Sequence, residues 1–183
     1  SANASNELIS GFSEKRLDRY SQFLNTEIAE GRIPGAVSYI TRNGQTVYKA
    51  AYGYSSWEAR KPMQQDNIFQ IMSMTKPIIS AAFLMLYEEG HFFLTDPVSK
   101  YLPQFKDFTV SLDVNEGIDG PTEPVKSEIT IHQLLTHTAG FTHGIEGTPL
   151  DNEIAQAIYV EPQTSIESRV NTLISLPLIG HPG

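Results

Sequence analysis

The sequence contains no cysteine, which excludes disulfide bonds, thiol catalysis and cysteine-ligated metal sites. It is also poor in basic residues, since 13 lysines and arginines stand against 21 aspartates and glutamates and the formal net charge is −8. An acidic chain without a basic cluster is a poor partner for nucleic acid or for an anionic membrane surface. No apolar run is long enough to cross a bilayer as a helix. We therefore predict no nucleic-acid partner and no membrane span.

The most informative stretch is Ser-Met-Thr-Lys-Pro at residues 73–77, which opens a strongly apolar segment. Ser73 and Lys76 are three residues apart, so they share one face of a helix. A serine hydroxyl needs a neighbouring base to become a nucleophile, and a lysine amine is such a base when burial keeps it neutral. The motif alone is common, so it makes Ser73 and Lys76 candidate catalytic residues and no more.

The residues that follow this pair predict a buried central helix over residues 73–90. Residues 78–86 are apolar on nearly every side, and Gly90 ends the pattern. Pro77 fits only the first turn of a helix, which places Ser73 at or just before its N-terminus. Free backbone N–H groups at that end favour a developing oxyanion.

The first part of the chain has the pattern of a helix followed by a β-hairpin. Ser13 is the predicted N-cap of an amphipathic helix, and Gly31 lies where a left-handed C-cap ends it. Strand-like runs at 35–40 and 45–54 flank an Asn-Gly pair, which is a strong hairpin signal. Residues 13–60 are therefore predicted to form the opening of an α+β fold.

Residues 61–183 are predicted to form a mostly helical part. After the Ser73 helix, Asp96 and Pro97 suit the N-cap and first position of a short helix. Residues 106–126 are rich in glycine, aspartate and proline and are predicted to form a long loop with a short strand at 108–112.

Three more helices are predicted after this loop. Thr130 and Gln133 form a capping box that opens a helix through Leu135. Residues 151–159 and 165–175 have the pattern of two further helices, and a capping box of Thr164 and Glu167 is predicted to open the latter.

A cluster of histidines invites a metal-site interpretation, which the spacing does not favour. His132, His137 and His143 cluster, but His132 and His137 fall on different faces of a helix, and no acidic residue sits at zinc-like spacing. We therefore predict no metal site here and assign these histidines no catalytic role.

Several blocks of the sequence, taken in order, resemble the serine β-lactamase-like hydrolases. That superfamily includes class C β-lactamases, D-alanyl-D-alanine carboxypeptidases and family VIII carboxylesterases. The motif at 73–77 and the segment 119–126, which leads towards His-Thr-Ala-Gly, look most like the esterase branch. The resemblance covers roughly residues 15–183 and rests on the blocks at 32–37, 43–47, 52–54, 69–77, 96–103 and 129–140.

The resemblance implies a fold and a set of roles. It implies an α+β, β-lactamase/transpeptidase-like fold, in which an antiparallel sheet is flanked by helices and a helical subdomain carries the S-x-x-K helix. Ser73 would be the nucleophile, Lys76 its base and the Ser73 backbone N–H an oxyanion donor. The substrate would be a small-molecule ester, and no metal or organic cofactor would be needed. The His-Thr-Ala-Gly turn at 137–140 would be structural.

The resemblance also implies that these residues are an N-terminal half. The family's catalytic tyrosine, its Lys-Thr-Gly-like motif, the remaining strands and the C-terminal helix would lie beyond Gly183. Tyr159 is followed by Val160 and Glu161, which match neither form of the tyrosine motif, so it is interpreted as a helix residue. A single hairpin is a marginal sheet in water. We therefore expect a second chain or fragment to supply the rest and to be needed for activity.

Three functions stay open at this point. The favoured one is a carboxylesterase that acts on short or medium acyl chains through an acyl-enzyme. The second is a β-lactamase or D-Ala-D-Ala carboxypeptidase, and the third is a catalytically silent homologue that binds a ligand.

Overall fold

The computed structural model describes residues 8–9 and 11–183, and the chain divides into two compact units with a boundary between Ile71 and Met72. The first unit carries small antiparallel sheets and one long helix. The second unit is mostly helical and begins with the turn that holds Ser73. Each unit has its own internal packing.

The first unit is built around a three-stranded antiparallel sheet and one helix. In chain order its elements are β1 (Leu8–Ile9), β2 (Phe12–Ser13), α1 (Glu14–Ala29), β3 (Gly35–Arg42), β4 (Gln45–Ser56) and β5 (Lys61–Pro62). The strand order of the sheet is β3-β4-β5, and β1 and β2 form a separate antiparallel pair before the helix.

The β3-β4 hairpin turns at Asn43 and Gly44, as the sequence predicts. Both residues have positive φ, 49° and 74°, and Arg42 pairs with Gln45 on either side of them. This two-residue turn matches the right-handed twist of the strands, which is why asparagine and glycine are favoured there. The two predicted strands are confirmed, and each continues two residues further than the pattern indicated.

Helix α1 packs on one face of this hairpin through both apolar and hydroxyl contacts. Leu17 and Leu24 are its buried side chains. The Tyr20 hydroxyl lies 2.8 Å from the Ser38 hydroxyl, and the Tyr20 and Tyr48 rings meet edge to face. The predicted amphipathic helix is confirmed, with Ser13 at its N-cap and Gly31, at φ 72°, just beyond its end.

The second unit combines helices, short 3-10 turns and one small hairpin. The hairpin is β6 (Thr109–Ser111) with β7 (Thr122–Pro124), and the 3-10 turns are Met72–Met74, Val98–Lys100, Pro103–Phe105 and Val114–Glu116. The helices are α2 (Thr75–Glu88), α3 (Ile131–Leu135), α4 (Pro149–Ala155) and α5 (Ile166–Ile174), with a π-helical turn, Gln156–Val160, after α4.

Two apolar clusters hold the second unit together. The larger one joins the 92–110 region to α3 and to Leu178, which is 1% exposed. Leu178 is also tied to β6, because its N–H donates to the Thr109 carbonyl (2.8 Å) and its carbonyl accepts from the Ser111 N–H (2.9 Å). The smaller cluster centres on Leu150, Ile154 and Ile158 of α4 and the π-turn.

Several local expectations from the sequence are confirmed in this unit. The strand expected within 108–112 is β6, and the Thr130–Gln133 capping box that opens α3 is present with both of its hydrogen bonds. The partner strand β7 lies in a segment that the sequence indicated to be a loop, because three residues with a proline carry little strand signal.

Three predicted helix starts are wrong by one or two residues. The N-cap of the 98–100 turn is Pro97 and not Asp96, because the Asp96 carboxylate is hydrogen-bonded to the preceding Phe93 N–H. The helix predicted at 151–159 begins at Pro149 and changes to a π-turn at Gln156. The last helix is capped by Ser165, whose hydroxyl accepts from the Ser168 N–H, and not by Thr164.

The Asp96 carboxylate organises the turn after α2. It accepts hydrogen bonds from the Phe93 N–H (2.9 Å), the Tyr101 hydroxyl (2.6 Å) and Lys100 Nζ (2.9 Å). These bonds, the one from the Phe93 backbone first, lower the pKa of Asp96 to about 2. The turn is therefore held by the ionised form of this carboxyl.

We expect Asp96→Asn to remove a stabilising contribution that depends on pH. The pKa of a carboxyl in the unfolded chain is about 3.9, and that of folded Asp96 is lowered to about 2. The contribution is therefore complete above about pH 4 and is lost as the pH falls towards about 2. Urea unfolding between pH 2 and pH 7 should show wild type and variant differing most above about pH 4 and converging below it.

The exposed Asp119 provides the matched control for this measurement. Asp119→Asn should leave the free energy of unfolding close to that of wild type throughout the range. A constant difference between Asp96→Asn and wild type from pH 7 to pH 2 would contradict the assigned role of Asp96.

Candidate active site

Ser73 lies in the 3-10 turn that runs directly into α2. Met74, the N-cap of α2, already has helical dihedrals (φ −65°, ψ −10°), so the turn and the helix form one continuous element. Pro77 falls in the first helical turn, where a missing N–H removes no intrahelical hydrogen bond. The position of Ser73 just before the helix start is therefore as predicted.

The structure brings the two predicted site residues together. Lys76 Nζ donates a hydrogen bond to Ser73 Oγ over 3.1 Å. That distance allows a proton to pass between hydroxyl and amine without rearrangement of the backbone. The three-residue spacing produces the contact because the turn and the helix present both side chains on one face.

The residue before Ser73 has an uncommon backbone conformation. Met72 has φ 47°, in the left-handed region that non-glycine residues seldom adopt. Such a conformation costs about 1–3 kcal/mol and is concentrated at functional sites. The strain at Met72 therefore coincides with the turn that presents Ser73.

The expectation that α2 is buried is wrong for the chain as the structure describes it. Among the described residues, no side chain of α2 is buried, and Lys76 is exposed. Ile78, Ile79 and Met85 are 59%, 62% and 61% exposed. One face packs, through the Phe83 ring stacked on Phe92 at 4.4 Å, and the other faces have no covering layer here. The all-round apolar pattern predicts burial but does not identify the covering element.

A separate cavity of about 330 Å³ lies in the same unit. Two of the three clustered histidines, His137 and His143, line it, together with Tyr159. The Tyr159 hydroxyl is 3.2 Å from His143 Nδ1, and the two rings stack at 6.3 Å. No sequence pattern indicated this pair, because its members are 16 residues apart, His143 in a loop and Tyr159 in the π-helical turn. The remaining lining residues are Leu134, Ala139, Phe141, Thr142, Ile145, Glu146 and Ile179.

The backbone of the His-Thr-Ala-Gly turn at 137–140 is hydrogen-bonded to the backbone of residues 179–183. Gly140 has φ 92°, and a Cβ there would collide with the Gly180 carbonyl oxygen, so only glycine fits. The Gly140 carbonyl accepts from the Ile179 N–H (2.9 Å), and the Thr138 carbonyl accepts from the Gly183 N–H (2.8 Å). These contacts support a structural role for the turn.

Asp151 holds the loop formed by residues 142–147. It is fully buried, and its carboxylate accepts from the Gly144 N–H (2.9 Å), the Gly147 N–H (3.0 Å) and the Thr142 hydroxyl. Burial raises the pKa of Asp151, but the hydrogen bonds from Thr142 and from backbone N–H groups of the loop outweigh it, so that the pKa is lowered. The sequence indicated only that Asp151 begins a helix.

The described residues offer neither a metal-binding cluster nor a helix suited to crossing a membrane. In residues 8–9 and 11–183, no group of three or more histidine, aspartate or glutamate side chains is arranged to hold a metal ion. Over the same part of the chain, none of the helices combines the length and apolarity that a membrane crossing requires.

The sequence is similar to a known protein family and to a curated esterase. A model of the Beta-lactamase family matches residues 14–183. The chain is 37% identical to Esterase EstB of Burkholderia gladioli over 122 residues, which is 67% of this chain and 28% of that protein. It therefore spans less than a third of the length of this curated relative.

Solved structures show the same fold. The chain matches EstCE1, described as a hydrolase with promiscuous acyltransferase activity, with a TM-score of 0.69 and 31% identity, over 92% of this chain and 42% of that one. It matches an octameric penicillin-binding protein homologue from Pyrococcus abyssi with a TM-score of 0.64 and 25% identity, over 91% and 34%. The predicted α+β, β-lactamase/transpeptidase-like fold is thereby confirmed.

We expect Asp151→Ala to loosen the loop at 142–147 while leaving the rest of the unit folded. Two loop amides, those of Gly144 and Gly147, lose their acceptor, so their hydrogen exchange should accelerate about tenfold or more. Hydrogen exchange followed by mass spectrometry or NMR measures this directly.

Glu153→Ala is the matched control on the same helix. Its carboxylate accepts from the Ile118 N–H (2.6 Å), so exchange should rise at Ile118 and stay unchanged at Gly144 and Gly147. Unaltered exchange of these two glycines in Asp151→Ala would show that another contact holds the loop.

Proposed function

Because the chain belongs to the Beta-lactamase family, we propose that Ser73 and Lys76 are the nucleophile and base of a serine hydrolase that cleaves carboxylic esters. The observation that carries the proposal is the 3.1 Å hydrogen bond between Lys76 Nζ and Ser73 Oγ. The 37% identity to Esterase EstB supports an ester as substrate. Hydroxyl and amine at this distance have the geometry of a nucleophile with its general base.

The proposed reaction has two steps. Once a covering segment desolvates Lys76 and leaves its amine neutral, the amine takes the Ser73 proton while Oγ attacks the ester carbonyl, and the alkoxide leaves as the alcohol with the proton returned from Lys76. Water then attacks the acyl-enzyme and releases the carboxylic acid and free Ser73. The Ser73 backbone N–H stands at the positive end of the α2 dipole, where it favours the oxyanion formed in each step.

The activity is proposed for a protein larger than these residues. The chain spans 28% of Esterase EstB and 42% of EstCE1. A helix that is apolar all round is normally interior, and α2 exposes much of that surface here. We propose that a further segment or a second chain covers α2 and adds a second oxyanion donor and a tyrosine that assists Lys76.

Two other functions are weighed against the esterase. The first would use Ser73 and Lys76 in the same roles, and the second would not need them. A β-lactamase or D-Ala-D-Ala carboxypeptidase would need the same nucleophile and base, and the likeness to a penicillin-binding protein homologue is consistent with it. A silent ligand-binding homologue would not need the Ser73–Lys76 contact, which is intact. The esterase is favoured because the relative named as an esterase shares 37% identity.

The test is the initial rate of the complete protein on p-nitrophenyl butyrate and on a chromogenic cephalosporin. Ser73→Ala should lower ester turnover about 10³-fold or more, because the covalent step is lost. Lys76→Met keeps the length of the side chain but removes the amine, and should lower kcat about 10²–10⁴-fold. Turnover of the cephalosporin should be minor.

Ser80→Ala is the matched control, since Ser80 lies on the same helix and lines a separate apolar cavity. It should retain ester turnover within about twofold of wild type. Dominant cephalosporin hydrolysis would replace the esterase by a β-lactamase. Near-wild-type ester turnover in Ser73→Ala would remove the proposed nucleophile.

A further inference from the structure

The cavity of about 330 Å³ in the second unit has one wall held by hydrogen bonds, and both apolar and polar side chains line it. The wall is the loop at 142–147, which the buried Asp151 carboxylate holds by hydrogen bonds to the loop backbone. A cavity whose wall is anchored in this way loses little conformational entropy when a ligand enters. Its size falls at the lower end of the range for small-molecule sites.

Among the polar side chains of the lining, His143 and Tyr159 are hydrogen-bonded to each other. Tyr159 belongs to the π-helical turn Gln156–Val160, a conformation that is rare in proteins and frequent at functional sites. Leu134, Ala139 and Ile179 are among the apolar residues that line the same cavity.

The hydrogen bond between these two side chains leaves one donor free in either arrangement. If the Tyr159 hydroxyl donates to His143 Nδ1, then His143 Nε2–H is the free donor. If Nδ1–H donates to the Tyr159 oxygen, the hydroxyl hydrogen is free instead. A neutral pair therefore always offers one N–H or O–H group, and its natural partner is an acceptor oxygen.

The charge of the lining restricts the ligand further. Glu146 also lines the cavity, and its carboxylate disfavours an anionic ligand. We propose that this cavity is a binding site for a small, neutral molecule that has an apolar part and carries a hydrogen-bond acceptor oxygen. His143 and Tyr159 determine its specificity, and Asp151 is the positioning residue of its wall. Because neither Ser73 nor Lys76 is among the described lining residues, the site goes beyond the proposed hydrolysis.

The test compares two probes of nearly the same shape, acetophenone and α-methylstyrene, which differ by a carbonyl oxygen in place of a CH₂ group. Binding is followed by NMR through the methyl signals of Leu134 and Ile179 in the complete protein. The two dissociation constants are measured in wild type and in the double variant His143→Phe/Tyr159→Phe. Both side chains are exposed, so their replacement does not threaten the fold.

The dissociation constant of α-methylstyrene divided by that of acetophenone measures the preference for the carbonyl oxygen. This ratio should be about three- to tenfold higher in wild type than in the double variant. Comparing ratios cancels the different hydration of the two probes. Tyr39→Phe, at an exposed tyrosine of the first unit, should give the wild-type ratio. Equal ratios in wild type and double variant, or acetophenone shifts absent from Leu134 and Ile179, would overturn the proposal. Neither probe is hydrolysed, so the result is independent of Ser73.

Discussion

The hydrogen bond between Lys76 and Ser73 depends on where α2 begins. The 3-10 turn Met72–Met74 continues into the helix, Pro77 takes a first-turn position, and the left-handed Met72 directs the chain into the turn. If the helix began several residues later, Ser73 and Lys76 would no longer share a face. The Ser73–Lys76 contact therefore rests on local backbone geometry, which the second unit contains within itself.

The two apolar clusters of the second unit leave most of α2 uncovered, and only one face of the helix packs against them, through Phe83. Leu178 and Ile129 are almost fully buried, whereas Ile79 and Met85 lie largely open. A core of this kind fixes the surrounding turns and leaves α2 with apolar faces available for packing. This arrangement agrees with a chain that spans 42% of a structurally similar hydrolase. In such a protein, the environment of Lys76 would be completed by residues outside those described here.

The parts of the structure that were predictable are those specified by neighbouring residues. The Asn43–Gly44 hairpin and the capping box at Thr130 follow from backbone preferences, and the Ser73–Lys76 contact follows from helical spacing. The hydrogen bonds from the 142–147 loop to the Asp151 carboxylate and the His143–Tyr159 pair were not predictable, because tertiary folding brings their members together. Burial of α2 was wrongly expected for a related reason, since apolar character does not reveal which element covers a helix.

Covalent labelling tests the central claim, that Ser73 is an activated nucleophile, most directly. The complete protein would be treated with a fluorophosphonate, which forms a stable bond to an activated serine oxygen, and the modified peptide located by mass spectrometry. The account predicts one adduct, on Ser73, whose rate of formation falls steeply in Lys76→Met. Modification of another serine with Ser73 left free, or labelling of Ser73 at the same rate without the Lys76 amine, would contradict it.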